Sequence, residues 1–118
     1  MPGSFVQELQ NTSEVELTVT GRATKQEITN PVWFVREDHK LYLVPVRGSD
    51  SDWFKNVLAD PQVRITADGA SITTAAVPVT SPGQVATIVD KFRARYGADQ
   101  VAQYYPKTDV AVEVDLPD

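Results

Sequence analysis

Cysteine is absent from the 118 residues, and histidine occurs once, at position 39. The first absence excludes disulfides, thiolate nucleophiles and zinc–thiolate sites. The second excludes a histidine-rich metal site and the two-histidine motif of metalloproteases, and it disfavours a Ser–His–Asp triad. His39 itself reads as an exposed turn residue. Long apolar runs are missing too: none approaches the ~20 residues of a membrane span. The amino terminus, MPGSFVQELQ, has no basic segment followed by an apolar one, so no signal peptide is expected and the cytoplasm is the default location. Basic excess is also lacking. Eleven Lys and Arg face sixteen Asp and Glu, a net charge of −5, which argues against a nucleic-acid partner but leaves room for a local anion site.

What is present suits one globular domain over residues 1–118, with residues 1–12 as an N-terminal arm. Hydrophobic residues make up 42% and charged residues 23%, far from a disordered composition. Val15, Leu17 and Val19 alternate with Glu14, Glu16 and Thr18, the period of a half-buried strand. Gly21 ends it and is expected to supply the permissive dihedral of the turn GRATKQ. A second strand is predicted over 26–37, with an edge or bulge at Pro31, and a third over 40–46. In SDSDWFKNVLADP the period changes. Trp53 pairs with Val57 and Phe54 with Leu58 at helical spacing, Ser49 or Ser51 caps the start, and Pro61 stops the helix.

Strands at 62–67 and 70–79 flank Asp68-Gly69, the strongest hairpin signal in the chain. Val85, Ile88, Val89, Phe92 and Tyr96 then form the apolar stripe of a second helix that ends at Gly97. A short helical turn over 98–105 and a sixth strand around Val110–Leu116 follow. The order β-β-β-α-β-β-α-β, mostly hairpins, predicts a mainly β fold with helices, a six-stranded antiparallel barrel. An open α+β layer sandwich is the alternative.

Most aromatic and valine side chains read as core. Trp33 and Phe34, however, are strand neighbours and must face opposite sides, so one of the two apolar surfaces they imply meets a helix, a ligand or a second subunit. The segment VRGSDSDW joins a strand end to a helix start through glycine. Backbone N–H groups gather at such a place, with the hydroxyls of Ser49 and Ser51 beside them and Arg47 available as a charged fork, which suits a phosphate-like anion. Asp50 and Asp52 compete for the same donors, and plain helix capping is the other reading. Arg22, Thr24 and Lys25 pose the same choice between anion ligands and an ordinary polar turn. If the two segments meet in space, a phosphate cradle results. Glu14/Glu16 and Glu113/Asp115 look solvated, with no sign of acid–base work. Tyr104 and Tyr105 either line a pocket or simply pack, and Asn56 is either polar surface or a ligand contact. No catalytic side chain and no metal ligand set is identified.

From Leu17 to Ile65 the chain resembles the deazaflavin-dependent nitroreductase and quinone-reductase group of the flavin-binding (pyridoxamine-phosphate-oxidase-like) split β-barrel superfamily. The likeness rests on Thr20-Gly21-Arg22, the P-x-W-F stretch at Pro31–Phe34, Leu41–Val44, the Gly48-Ser49 turn, Trp53, Asn56 and the close at Leu58–Val63. The resemblance implies a split barrel whose groove holds FMN or the deazaflavin coenzyme F420. It implies that Arg22, Thr24 and Lys25 contact phosphate and that Thr29, Asn30, Pro31 and Val32 present backbone to the ring. Arg47, Gly48, Ser49, Ser51 and Trp53 would close the other side, with Lys55 and Asn56 nearby. The implied activity is hydride transfer to a small electrophile such as a quinone, nitro compound or enone, performed by the cofactor. A homodimer is implied as well. The alternatives are a non-catalytic binding or interaction protein on the same barrel and, less well suited to six strands, a carrier of an apolar ligand.

Overall fold

The computed structural model describes residues 9, 12 and 14–116 of the chain; the arm expected over 1–12 otherwise lies outside the described residues. The alternation in EVELTVT produces β1, Glu14–Thr20, with Val15, Leu17 and Val19 buried and both glutamates exposed. It pairs antiparallel with β2, Glu27–Trp33. The Gly21 N–H donates to the Gln26 carbonyl at 2.8 Å, and the Lys25 N–H donates to the Gly21 carbonyl at 2.9 Å. The positive φ of this turn falls on Lys25, at 63°, and not on Gly21 as expected. Gly21 is needed for space instead, since a Cβ there would lie 2.9 Å from Thr24 Oγ1 and 3.3 Å from the Gln26 carbonyl oxygen.

The second strand predicted over 26–37 is in fact two, so the sheet has seven strands and not six. β2 ends at Trp33, β3 spans Val35–Glu37, and Phe34 belongs to neither. Its backbone groups leave the ladder and must be satisfied elsewhere. Both go to one hydroxyl: the Phe34 N–H donates to Tyr96 Oη at 3.3 Å, and Tyr96 Oη donates to the Phe34 carbonyl at 2.5 Å. The chain then turns through Asp38, φ 55°, into β4, Lys40–Leu43. That strand stops short of the predicted 46, ahead of Pro45.

β5, Gln62–Ala67, and β6, Ala70–Val79, have the predicted bounds, and their turn places Asp68 and Gly69 at φ 49° and 88°. β7 covers Ala111–Asp115. The strand order is β2-β1-β5-β6-β7-β4-β3, antiparallel throughout. β6 serves both halves, pairing with β5 up to Ala75 and with β7 from Ala76 onward. β2 and β3 stand at opposite ends of this order yet are separated by one residue. The sheet therefore curls until its two edges meet at Phe34, giving the open, curled antiparallel sheet of a split β-barrel.

Within residues 14–116 there are three helices: α1, Asp52–Ala59; α2, Pro82–Tyr96; and α3, Ala98–Tyr104. The last is a helix where only a helical turn was expected. Trp53, Phe54 and Val57 of α1 enter the barrel core with Leu17, Phe34, Leu41, Ile65 and Val112. Val85, Ile88, Val89 and Phe92 of α2 cover the outer face with Val101 and Tyr105. Phe34 points into the first cluster, and Trp33 packs against the second. Among the described residues no helix is long and apolar enough to cross a membrane.

β4 reaches α1 through a 3₁₀ turn at Gly48–Asp50. Every backbone N–H from Arg47 to Ser51 finds an acceptor inside the protein. Arg47 donates to Ser51 Oγ at 2.9 Å, and Ser49 donates to Asp109 Oδ1 at 3.0 Å. Gly48, Asp50 and Ser51 donate to the carbonyls of Pro45, Arg47 and Gly48 at 3.0, 3.1 and 3.0 Å. The Ser49 hydroxyl donates to Asp109 Oδ2 at 2.5 Å. Ser51 holds the N-cap position of α1 without side-chain capping, because its hydroxyl is turned back to Arg47. Gly48, at φ 56°, is demanded by close approach as well as by dihedral, since a Cβ would collide with the Asp109 carboxylate.

Two outcomes follow for stability. Tyr96→Phe removes the hydroxyl that serves both Phe34 backbone groups, and urea unfolding should show a loss of about 1–3 kcal/mol; an unchanged midpoint would mean water serves Phe34 equally well. The second concerns acid. The Ser49 hydroxyl, first among several groups, holds the Asp109 carboxyl below its ordinary range. A depressed folded-state value gives stability that is present above the unfolded value of about 3.9 and lost as pH falls through the folded one. The unfolding midpoint of the natural chain should therefore drop more steeply below about pH 4 than that of Asp109→Asn, with parallel profiles counting against the linkage.

Candidate functional site

A groove of about 620 Å³ opens where edge strand β2, the segment from Val44 to Trp53 and the end of α3 converge. Glu14 and residues Asn30, Pro31, Val32 and Trp33 form one side. Val44, Val46, Arg47, Ser51, Asp52 and Trp53 form the other, and Tyr104 and Tyr105 close the end.

Trp33 is the principal wall. Its ring stacks on Tyr96 at 4.5 Å between centroids and 19° between planes. Tyr104 meets it edge-on at 5.4 Å and 72°, and Tyr105 at 6.0 Å and 64°. Such stacked and edge-to-face contacts hold the indole in one orientation. The strand break fixes it as well, since Trp33 immediately precedes the residue tied to Tyr96 Oη. Trp53 and Tyr105 are buried, whereas Tyr104 is 47% exposed and available to a ligand. Burial pushes the Tyr105 phenol up from its ordinary value. It therefore keeps its proton at neutral pH and offers a hydroxyl, not a base. β2 is the outermost strand of its half-sheet, so the backbone of Asn30–Val32 has no further strand beside it. The groove carries two carboxylates, Glu14 and Asp52, and one guanidinium, Arg47. Among the described residues nothing pairs with the Arg47 guanidinium.

Of the residues singled out from the sequence, Asn30, Pro31, Val32, Arg47, Ser51, Trp53, Tyr104 and Tyr105 come together here. Arg22, Thr24, Lys25, Thr29, Gly48, Ser49, Lys55 and Asn56 do not line the groove. The first turn and α1 do meet, as a phosphate cradle requires, but the meeting consumes the donors. The Arg22 N–H and its Nη1 donate to Asn56 Oδ1 at 3.1 and 2.7 Å, and Nη2 lies 3.5 Å from Asp52 Oδ1. Asn56 is only 3% exposed, a buried acceptor that fastens the turn to the helix. Thr24 Oγ1 accepts from the Gln26 N–H at 3.3 Å. Thr29 shares a 2.8 Å hydroxyl contact with Thr18. Lys25 and Lys55 are exposed.

Glu14, Trp33, Val44, Val46 and Asp52 also line the groove, though none was expected there from the sequence. For Trp33 the signal was there, in its opposition to Phe34. Glu14 and Asp52 carried none, since each matches an ordinary surface or helix-start acid. Chemically, the arrangement offers flat aromatic walls, an open strand edge and, among the described residues, one free cation, Arg47. Among the described residues no group of three or more His, Cys, Asp or Glu could hold a metal ion.

Comparison with known proteins places this geometry among split barrels. A solved structure described as an F420-H2 dependent reductase, FDR-A, is 23% identical with a TM-score of 0.69, over 87% of this chain and 94% of that one. A structure described as a domain-swapped dimer is 22% identical with a TM-score of 0.68, over 98% and 100% of the two chains. The heme storage protein HutZ from Vibrio cholerae shares the fold at 12% identity, TM-score 0.73, over 99% and 89%. No curated protein matches. At these identities the structures establish the fold alone, a split β-barrel. A family model described as uncharacterized protein conserved in bacteria, DUF2255, matches residues 5–114, and the chain belongs to that family.

Proposed function

We propose that the groove binds the ring system of a flavin or deazaflavin and that the protein is an oxidoreductase. The ring, of the FMN or F420 type, supplies hydride to a small electrophile such as a quinone, nitro compound or enone. One observation carries this reading: an aromatic-walled groove of about 620 Å³, a size suited to a ligand of this class, beside an unpaired strand edge. The similarity in fold to a structure described as an F420-H2 dependent reductase supports it.

The chain's own residues do the holding. Trp33 and Tyr104 present aromatic surface to the flat faces of a ring, and Trp53 closes the inner end. On the open edge of β2 the Pro31 carbonyl offers an acceptor to a heterocycle's polar edge, and Pro31 has no N–H to donate. The Tyr105 hydroxyl stays neutral, and Arg47 brings one positive charge. The hydride would come from the ring and the accompanying proton from water, so the lining needs no dedicated acid–base residue. We also propose a homodimer. The relative described as a domain-swapped dimer supports it.

The test is optical. Titration of riboflavin, FMN and a deazaflavin with the protein should quench ligand fluorescence at micromolar concentration. Tyr104→Ala, at an exposed position, should weaken binding by about 1 kcal/mol, roughly fivefold. No spectral change with any of the three would overturn the reading. Ring binding without delivery of hydride to a quinone, nitro compound or enone would assign a non-catalytic binding protein instead.

A further inference from the structure

Granted that the groove holds such a ring, we infer that the ligand it prefers has an uncharged tail, as riboflavin does, over one ending in a phosphate ester. A phosphate needs donors and cations that are free to turn toward it. The segment 47–51 was expected to supply such donors, and every backbone N–H in it is already spent, which leaves the Arg47 guanidinium. The five N–H groups there each have an internal acceptor. Ser49 gives both its amide and its hydroxyl to Asp109, so a carboxylate of the chain already holds the anion's place. Lys107 beside it is engaged by Asp50 at 2.9 Å.

The remaining cations do not make up the loss. The Arg22 guanidinium is held by Asn56 and Asp52. Lys25 and Lys55 lie outside the lining of the groove. Among the described lining residues Arg47 is the one cation, facing Glu14 and Asp52, the second of which lies 3.5 Å from Arg22 Nη2, in a chain of net charge −5. Such a net charge repels a dianionic tail, whereas a ribityl chain carries no charge to repel. The ring is accepted on aromatic surface, and the tail is selected by charge.

The experiment compares riboflavin and FMN on the full chain by fluorescence quenching across a salt series. Riboflavin should bind roughly three- to tenfold more tightly at low salt, and FMN should gain as salt screens the repulsion while riboflavin stays level. Glu14→Gln with Asp52→Asn should narrow the gap; the salt series on the natural chain stands by itself if that variant does not fold. FMN binding as tightly as riboflavin or more so, FMN weakening with salt, or a gap that salt does not move would each overturn the inference. Those results leave the ring-binding reading intact. Failure of both ligands to bind removes that reading, and this inference falls with it.

Discussion

At Phe34 the chain leaves one half of its sheet and enters the other, and a single phenolic hydroxyl makes that departure affordable. A backbone N–H and carbonyl withdrawn from a β-ladder in a protein interior must find partners or cost several kcal/mol between them. Tyr96 accepts from one and donates to the other. Because both contacts converge on one atom at the end of α2, the break also anchors that helix against the barrel. Phe34 then points inward to the core, and Trp33 points outward to the helices. The aromatic wall of the groove is thus a by-product of how the sheet closes. Its orientation is fixed by the stacking of Trp33 on the same Tyr96 ring.

The opposite wall is built on a different principle. From Arg47 to Ser51 the turn contains no free amide, and its shape is set from outside by Asp109, some 60 residues later. Gly48 admits that carboxylate where any Cβ would obstruct it. A turn so fully paired is stiff, so it can position Arg47 and Trp53 with little conformational cost. It cannot reorganise readily to grip an anion. The same holds for Arg22, whose link to the buried Asn56 makes the first turn part of the scaffold. Two segments whose composition suggests ligand binding are therefore occupied in holding the scaffold together.

The division between what the sequence disclosed and what it concealed follows the range of the interactions. Asp68-Gly69 specifies its hairpin locally, through two residues that tolerate positive φ, and the bounds of β5 and β6 were readable to the residue. The stripe Val85–Ile88–Val89–Phe92 likewise identified α2. The division of the second strand was hidden, because the hydroxyl that stabilises it lies 62 positions away. The fate of the 47–51 amides was hidden for the same reason. Positive φ at Lys25 was also unreadable, since glycine was available at position 21 but was reserved for space. Eight of the site residues anticipated from the sequence do converge, because strand alternation and the strand-to-helix junction are local properties.

The place of β7 has a consequence for how the chain comes together in time. This strand lies between β6 and β4, so the central position of its half-sheet is filled by residues 111–115. Its register with β4 joins Lys40 to Asp115, a separation that few pairings in so short a chain exceed. During synthesis, β1, β2, β5 and the first part of β6 can assemble as soon as they leave the ribosome. The β3–β4 hairpin and the remainder of β6 meanwhile wait with unpaired edges and an apolar face. A nascent chain halted before Val110 would thus be half a barrel, sticky along two strands, and a natural client for the chaperones that shield such edges.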